Sequence, residues 1–162
     1  MQRRKMIQGL GAGILASGLT ASGHAQGSGF RLRYILSSAM YGEMPLESIL
    51  PEVSKAGCEA IDIWCKVHGN QREQIQFMGD AAARKMFEEH RVRPAVFTRY
   101  PLGPFGLREE MKKVRKSFGA EILVCGSTGP RGPAGKDARS AVRKFLEKMK
   151  PHVAVAEETG IK

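Results

Sequence analysis

Cysteine is sparse in this chain. Cys58, Cys65 and Cys125 form an odd set with no C-x-x-C pair. A disulfide-stapled fold would need a denser set, so they read as buried free thiols, and metal ligation by them is not expected. Long apolar runs are also missing. The mildly apolar stretch from Gly9 to Ala21 is short and glycine-rich, whereas a membrane-spanning helix needs about 20 predominantly apolar residues. No stable membrane span is expected. The phosphate-cradling loops are absent as well. After the first strand-like run stands Ser37-Ser38-Ala39-Met40-Tyr41-Gly42, where a dinucleotide fold would carry G-x-G-x-x-G. Before Lys136, Pro130 occupies a position where a P-loop requires glycine, and Asp137 one where it requires a hydroxyl. Nucleotide hydrolysis has no support. No H-E-x-x-H or Cys/His cluster supplies a local metal site. The two collagen-like triplets within Gly129–Gly135 are not sustained and read as a loop.

What the chain does have is alternation. Four short apolar runs, Leu32–Leu36, Ala60–Trp64, Pro94–Thr98 and Glu121–Cys125, are each followed by polar loop and helical pattern. The repeat of roughly 25 to 35 residues is the size of a βαβ crossover and predicts a parallel sheet. An open doubly wound sheet and a closed barrel both permit it. The first helix takes its stripe from Leu46, Ile49, Leu50 and Val53, with Pro45 suited to its start and Pro51 expected to kink or shorten it. The second is expected over Phe77–His90, burying Met78, Ala82 and Met86. The third carries Leu107, Met111, Val114 and Phe118. The fourth starts near Asp137 as N-cap and repeats Val142, Phe145 or Leu146, Met149 and Val153, with Pro151 dividing or kinking it. His90 and His152 read as covering helix surfaces. Glu157 to Lys162 has the pattern of a helix end, a glycine suited to positive φ, and the first steps of a fifth strand. The expectation is a partial TIM-like (β/α) barrel, about four βα units of eight. Its uncovered edges would invite self-association.

The N-terminus belongs to targeting. Arg3-Arg4-Lys5 precedes the Gly9–Ala21 stretch, and Gly23-His24-Ala25 offers small residues around a cleavage point. Residues 1–25 thus resemble a Tat-type signal peptide, implying the Tat export machinery as a partner and a periplasmic or extracellular destination. Residues 26–162 are left as the N-terminal half of a barrel domain. Losing Arg3, Arg4 and Lys5 would lower the formal charge from +10 to +7. The remaining basic residues read as a solvated face, because no aromatic-basic interleaving or nucleic-acid motif accompanies them.

Three segments carry a family resemblance: Gly57-Cys58-Glu59-Ala60-Ile61-Asp62-Ile63-Trp64; Lys66-Val67-His68-Gly69-Asn70-Gln71-Arg72-Glu73-Gln74; and Met149 through Gly160. Together they resemble the sugar phosphate isomerase/epimerase family, with its xylose-isomerase-like TIM barrel. The resemblance implies divalent-metal-assisted isomerisation or epimerisation of a small sugar or sugar-derived substrate. It also implies metal ligands on later strands, so that no metal site is expected in this chain and the chain alone is expected to be inactive. In a TIM barrel the chemistry sits where the strands end. The substrate-binding candidates are therefore Tyr41, Trp64, Lys66, His68, Arg99 and Tyr100. Aromatic rings there can carry a sugar, cations can hold a phosphate or carboxylate, and His68 can bond a hydroxyl or share a proton. Asp62 is expected either to orient groups near the rim or to sit in a structural ion pair. Two other readings stand beside this one: a non-catalytic carbohydrate-binding or scaffold protein, and an endonuclease-like barrel that binds polyanions, the barrel architecture being shared with DNA-repair enzymes.

Overall fold

In a computed structural model, residues 32–126 and 135–162 are described. The proposed leader and the Gly129–Ala134 part of the glycine-rich loop lie outside them. β1 (Ile35–Ser37), β2 (Ala60–Trp64), β3 (Arg93–Thr98) and β4 (Ile122–Val124) form one sheet, parallel throughout, in the order β1-β2-β3-β4. A doubly wound sheet reverses its strand order at a switch point. Strictly sequential order has no such point and is that of a barrel wall, which settles the alternative left open by periodicity. Leu32 and Tyr34 precede the first strand and are exposed rather than paired. Beyond β4, the Lys162 amide donates to the Glu121 carbonyl and the Leu123 amide donates to the Lys162 carbonyl. Ile161 and Lys162 therefore run beside β4 as a next parallel strand would.

The helices α1 (Leu46–Lys55), α2 (Gln71–Met78), α3 (Asp80–Glu89), α4 (Arg108–Phe118) and α5 (Gly135–Thr159) cover one side of the sheet. Strand residues Leu36, Ile61, Ile63, Phe97 and Leu123 meet Ile49, Leu50, Val53, Ile75, Phe87, Met111, Val114 and Val155 in the main core. Phe97 is fully buried, and its ring lies 5.5 Å from that of Phe118. On the other side of the sheet, Ala60, Ala95 and Val96 cluster with Ile122 and Val124. This smaller apolar layer lies where the interior of a closed barrel would be.

The first and third helices present the expected stripes. Leu46, Ile49, Leu50 and Val53 are buried, and α1 runs on through Pro51, whose ring faces outward. Leu107, Met111 and Val114 are buried with Phe118 packed beside them, and Gly119 ends α4 in the left-handed conformation. The other two differ from expectation. The segment around Phe77–His90 is split, because Gly79 at φ +85° separates α2 from α3. The buried positions there are Ala83 and Phe87, while Ala82 and Phe77 face solvent. α5 is one helix of 25 residues, undivided at Pro151, and it begins before Asp137, which lies in its first turn. Of the expected stripe, Phe145 and Met149 are half-buried, and the ring of Phe145 meets that of Phe105 at 5.6 Å. Val142, Leu146 and Val153 are exposed, while Val155 and His152 are buried. His152 covers no surface: its imidazole lies beside Phe105, and burial, aided by Arg108, holds its pKa below the usual histidine range.

Phe97 is the largest fully buried side chain among the described residues. Phe97→Ala is expected to destabilise the chain by about 3–5 kcal/mol, read as a lower midpoint in urea with the slope unchanged.

Candidate functional site

The strand C-termini carry the aromatic wall. Trp64 closes β2, and its ring stands edge-on to His68 at 5.7 Å and to Tyr100 at 5.3 Å between centroids. Three of the expected residues are thus brought together by the ends of two adjacent strands. Both neighbours open to solvent: His68 is exposed and Tyr100 is nearly half exposed. Lys66 is exposed on the same loop as His68, and among the described residues it has no ion-pair partner. Tyr41 is placed differently. It ends the short 3-10 turn Ser38–Tyr41 and is half-buried against the main core.

Asp62, one of whose expected roles was to orient groups near the rim, holds the wall in place together with Ser38 and Thr98, which the sequence reading did not single out. Ser38 is fully buried, and its Oγ accepts the Trp64 backbone N–H at 2.9 Å, tying the end of β1 to the end of β2. Asp62 lies two residues before Trp64 on the same side of the strand. Its carboxylate accepts the indole Nε1–H at 2.7 Å and the Thr98 hydroxyl at 3.0 Å. This is hydrogen bonding and not an ion pair. Burial raises the Asp62 pKa above the usual carboxylate range, and the bonds from Thr98 and Trp64 oppose that rise without cancelling it.

The other expected cation, Arg99, is already engaged. Its guanidinium lies 3.3 Å from Glu110 and 3.8 Å from Glu73. Glu110 in turn takes a two-pronged bond from the almost fully buried Arg72, at 2.7 and 3.1 Å. Arg72 and Glu73 open α2 and Glu110 opens α4, so two arginines and two carboxylates lock the first turns of two helices to the end of β3. Beside them the buried Cys65 is a free thiol whose pKa burial pushes up, giving it the character of an inert core residue. Farther along the α2 start, the buried Gln71 donates to the carbonyls of Gly42 and Met44, and Gln74 accepts the Leu46 N–H. A Cβ at Gly69 would lie 2.6 Å from Gln71 Oε1 and 3.3 Å from the Gly42 carbonyl, so any larger residue there pushes on the Gln71 amide.

The polar run from Asn70 to Gln74 was legible as a motif, but nothing local says that its members pair with residues about 30 to 40 positions away. Among the described residues no three His, Cys, Asp or Glu side chains converge to hold a metal ion. The residues present in these four units do not by themselves fit a metal centre.

This architecture is a partial TIM-like (β/α) barrel with its aromatic wall on the face where such barrels carry chemistry. No family model and no curated protein matches the chain. Solved structures do match it. One is a protein described as IolI with a bound zinc atom, at TM-score 0.58 and 14% identity over 81% of this chain and 50% of that one. Another is protein SMc04130 from Sinorhizobium meliloti 1021, at TM-score 0.52 and 19% identity over 78% of this chain and 48% of that one. The chain spans about half the length of these structures, and at such identities the likeness is one of fold.

Two outcomes follow from the site's electrostatics. Glu110→Ala leaves Arg72 buried without its partner and is expected to destabilise by about 3–5 kcal/mol, whereas Glu147→Ala, which breaks only the exposed pair with Lys150 on α5, should change stability by less than about 1 kcal/mol; denaturant midpoints compare the two. For Asp62, a folded pKa raised above the unfolded value means that the folded state binds more protons between the two values. Its contribution to stability is therefore present below the ordinary pKa of 3.8 and lost as pH rises through the folded value. Asp62→Asn is expected to remove that loss, so the stability of the variant relative to wild type should rise as pH increases above the ordinary carboxylate value of 3.8. A difference independent of pH would contradict the raised value.

Proposed function

We propose that these four units form the substrate-wall half of a sugar or sugar-phosphate isomerase or epimerase of the xylose-isomerase-like kind. The observation that carries this reading is the Trp64–His68–Tyr100 cluster at the ends of adjacent parallel strands, with the hydrogen-bonded Asp62 beneath it. An indole edge and a phenol ring offer the apolar face that a sugar ring's C–H side stacks against, and His68 beside them can bond a hydroxyl or accept and return a proton. Arg99 is neutralised by Glu73 and Glu110, which leaves Lys66, of the two candidate cations, available to an anionic group on the substrate. A divalent metal would polarise a carbonyl or align hydroxyls in such a reaction. The neighbour described with bound zinc supports an interest in metal, and in this reading the ligands come from strands other than these four.

Trp64 is the sole tryptophan, so indole fluorescence reports on the site directly. Titrating the chain with a panel of aldoses, ketoses and polyols is expected to give a saturable change. His68→Ala is expected to weaken the affinity by about fivefold to tenfold, the worth of one hydrogen bond, with an unchanged thermal midpoint. Affinity retained within about twofold would remove His68 from the substrate contacts. Saturable binding with no interconversion, tested on a complete metal-loaded barrel containing these units, would turn the reading to a carbohydrate-binding module.

A further inference from the structure

On the opposite face, where the strands begin, a cleft of about 520 Å³ lies between α3, the end of α4 and the start of β3. Its floor is apolar: Phe87 is buried and meets Phe118 edge-on at 6.1 Å. Three guanidinium groups, those of Arg84, Arg91 and Arg93, line it with a single carboxylate, Glu88. Arg93 is committed to Glu121, which lies outside the lining. Among the described residues Arg84 reaches only the Ser117 carbonyl, at 3.4 Å. The lining therefore carries positive charge in excess over an apolar base.

A second observation is independent of the cavity. Each helix-to-strand turn of the fold needs one residue with positive φ, and the turns after α1, α4 and α5 use Gly57, Gly119 and Gly160 at +73°, +67° and +69°. The turn after α3 places Arg91 there, at +56°. The left-handed region disfavours any residue with a Cβ, and arginine lacks the short polar side chain that lets asparagine or aspartate enter it. A disfavoured backbone retained at one of four equivalent turns, with its side chain lining the cleft, points to a use for that side chain.

We propose that this cleft binds a small amphiphilic organic anion, an aryl or branched-alkyl phosphate ester or carboxylate, with its apolar body on Phe87 and Phe118 and its anionic head on Arg91 and Arg84. Guanidinium forks match both head groups, and the phenyl rings reward an apolar body that inorganic phosphate lacks. The site lies on the face of the barrel that ordinarily serves stability, so it is separate from the aromatic wall.

Phenyl phosphate is the probe, with inorganic phosphate and phenol as its two halves, each titrated into the isotope-labelled 162-residue chain while amide shifts are followed by NMR. The expected result is saturable binding of phenyl phosphate, at least about tenfold tighter than either half, with the largest shifts at Val92, Phe118 and Gly119. Arg91→Gly, which relieves the backbone, is expected to keep or raise the thermal midpoint while weakening binding by about tenfold or more. Arg84→Gln should weaken it similarly, and His68→Ala should leave it unchanged. Absence of saturation, shifts centred on Trp64 and Tyr100, equal affinity for inorganic phosphate, or full affinity in both arginine variants would each overturn the proposal.

Discussion

The buried pair between Arg72 and Glu110 is the interaction on which the rest of the strand-end face depends. A guanidinium almost out of water is tolerable only with a carboxylate bonded to it in two places. Because one partner opens α2 and the other opens α4, satisfying that requirement fixes where two loops leave the sheet. Arg99, at the end of β3, joins the same carboxylate and brings Glu73 with it. The loop that begins with Arg99 and Tyr100 is anchored by this network, so the ring that meets Trp64 inherits its position from a charge balance formed behind it.

The sheet itself divides into two chemical zones along the strands. Near their beginnings, the side facing away from the helices carries the apolar cluster of Ala60, Ala95 and Val96. Near their ends, the same side carries Asp62 and Thr98, bonded to each other, with the indole N–H of Trp64 completing the set. The helix-facing core is continuous beneath both zones. A rigid apolar support and a polar upper rim are what a TIM-like barrel requires for chemistry at one end. The opposite end has its own signature in Arg91, whose backbone is strained where the sister turns use glycine.

Much of this was legible beforehand. β2 falls on Ala60–Trp64, as its apolar run predicts, and the stripes of α1 and α4 bury the residues their period selects. The aromatic candidates were also legible, since a strand's end can be counted from its pattern and Trp64, His68 and Tyr100 lie within a few residues of such ends. What failed was phase. α5 carries apolar residues on more than one side, and period alone does not say which side meets α4; Val142, Leu146 and Val153 have the right spacing and the wrong face. The break at Gly79 failed for a related reason, because the helical pattern continues across it and only the backbone turn at positive φ separates α2 from α3.

The amino-acid order by itself determined the class of fold: four apolar runs, each separated by enough chain for a crossover, leave a parallel sheet as the economical arrangement. It also determined which residues stand at the strand ends. The tertiary structure alone decided that the strands run in barrel order, that Arg99 is held by two carboxylates while Lys66 is not, and that Asp62 is bonded to an indole rather than to a cation. Periodicity is a local property and survives in one dimension. Charge pairing joins residues 11 to 38 positions apart, and those pairs are set only when packing brings distant segments into one low-dielectric environment.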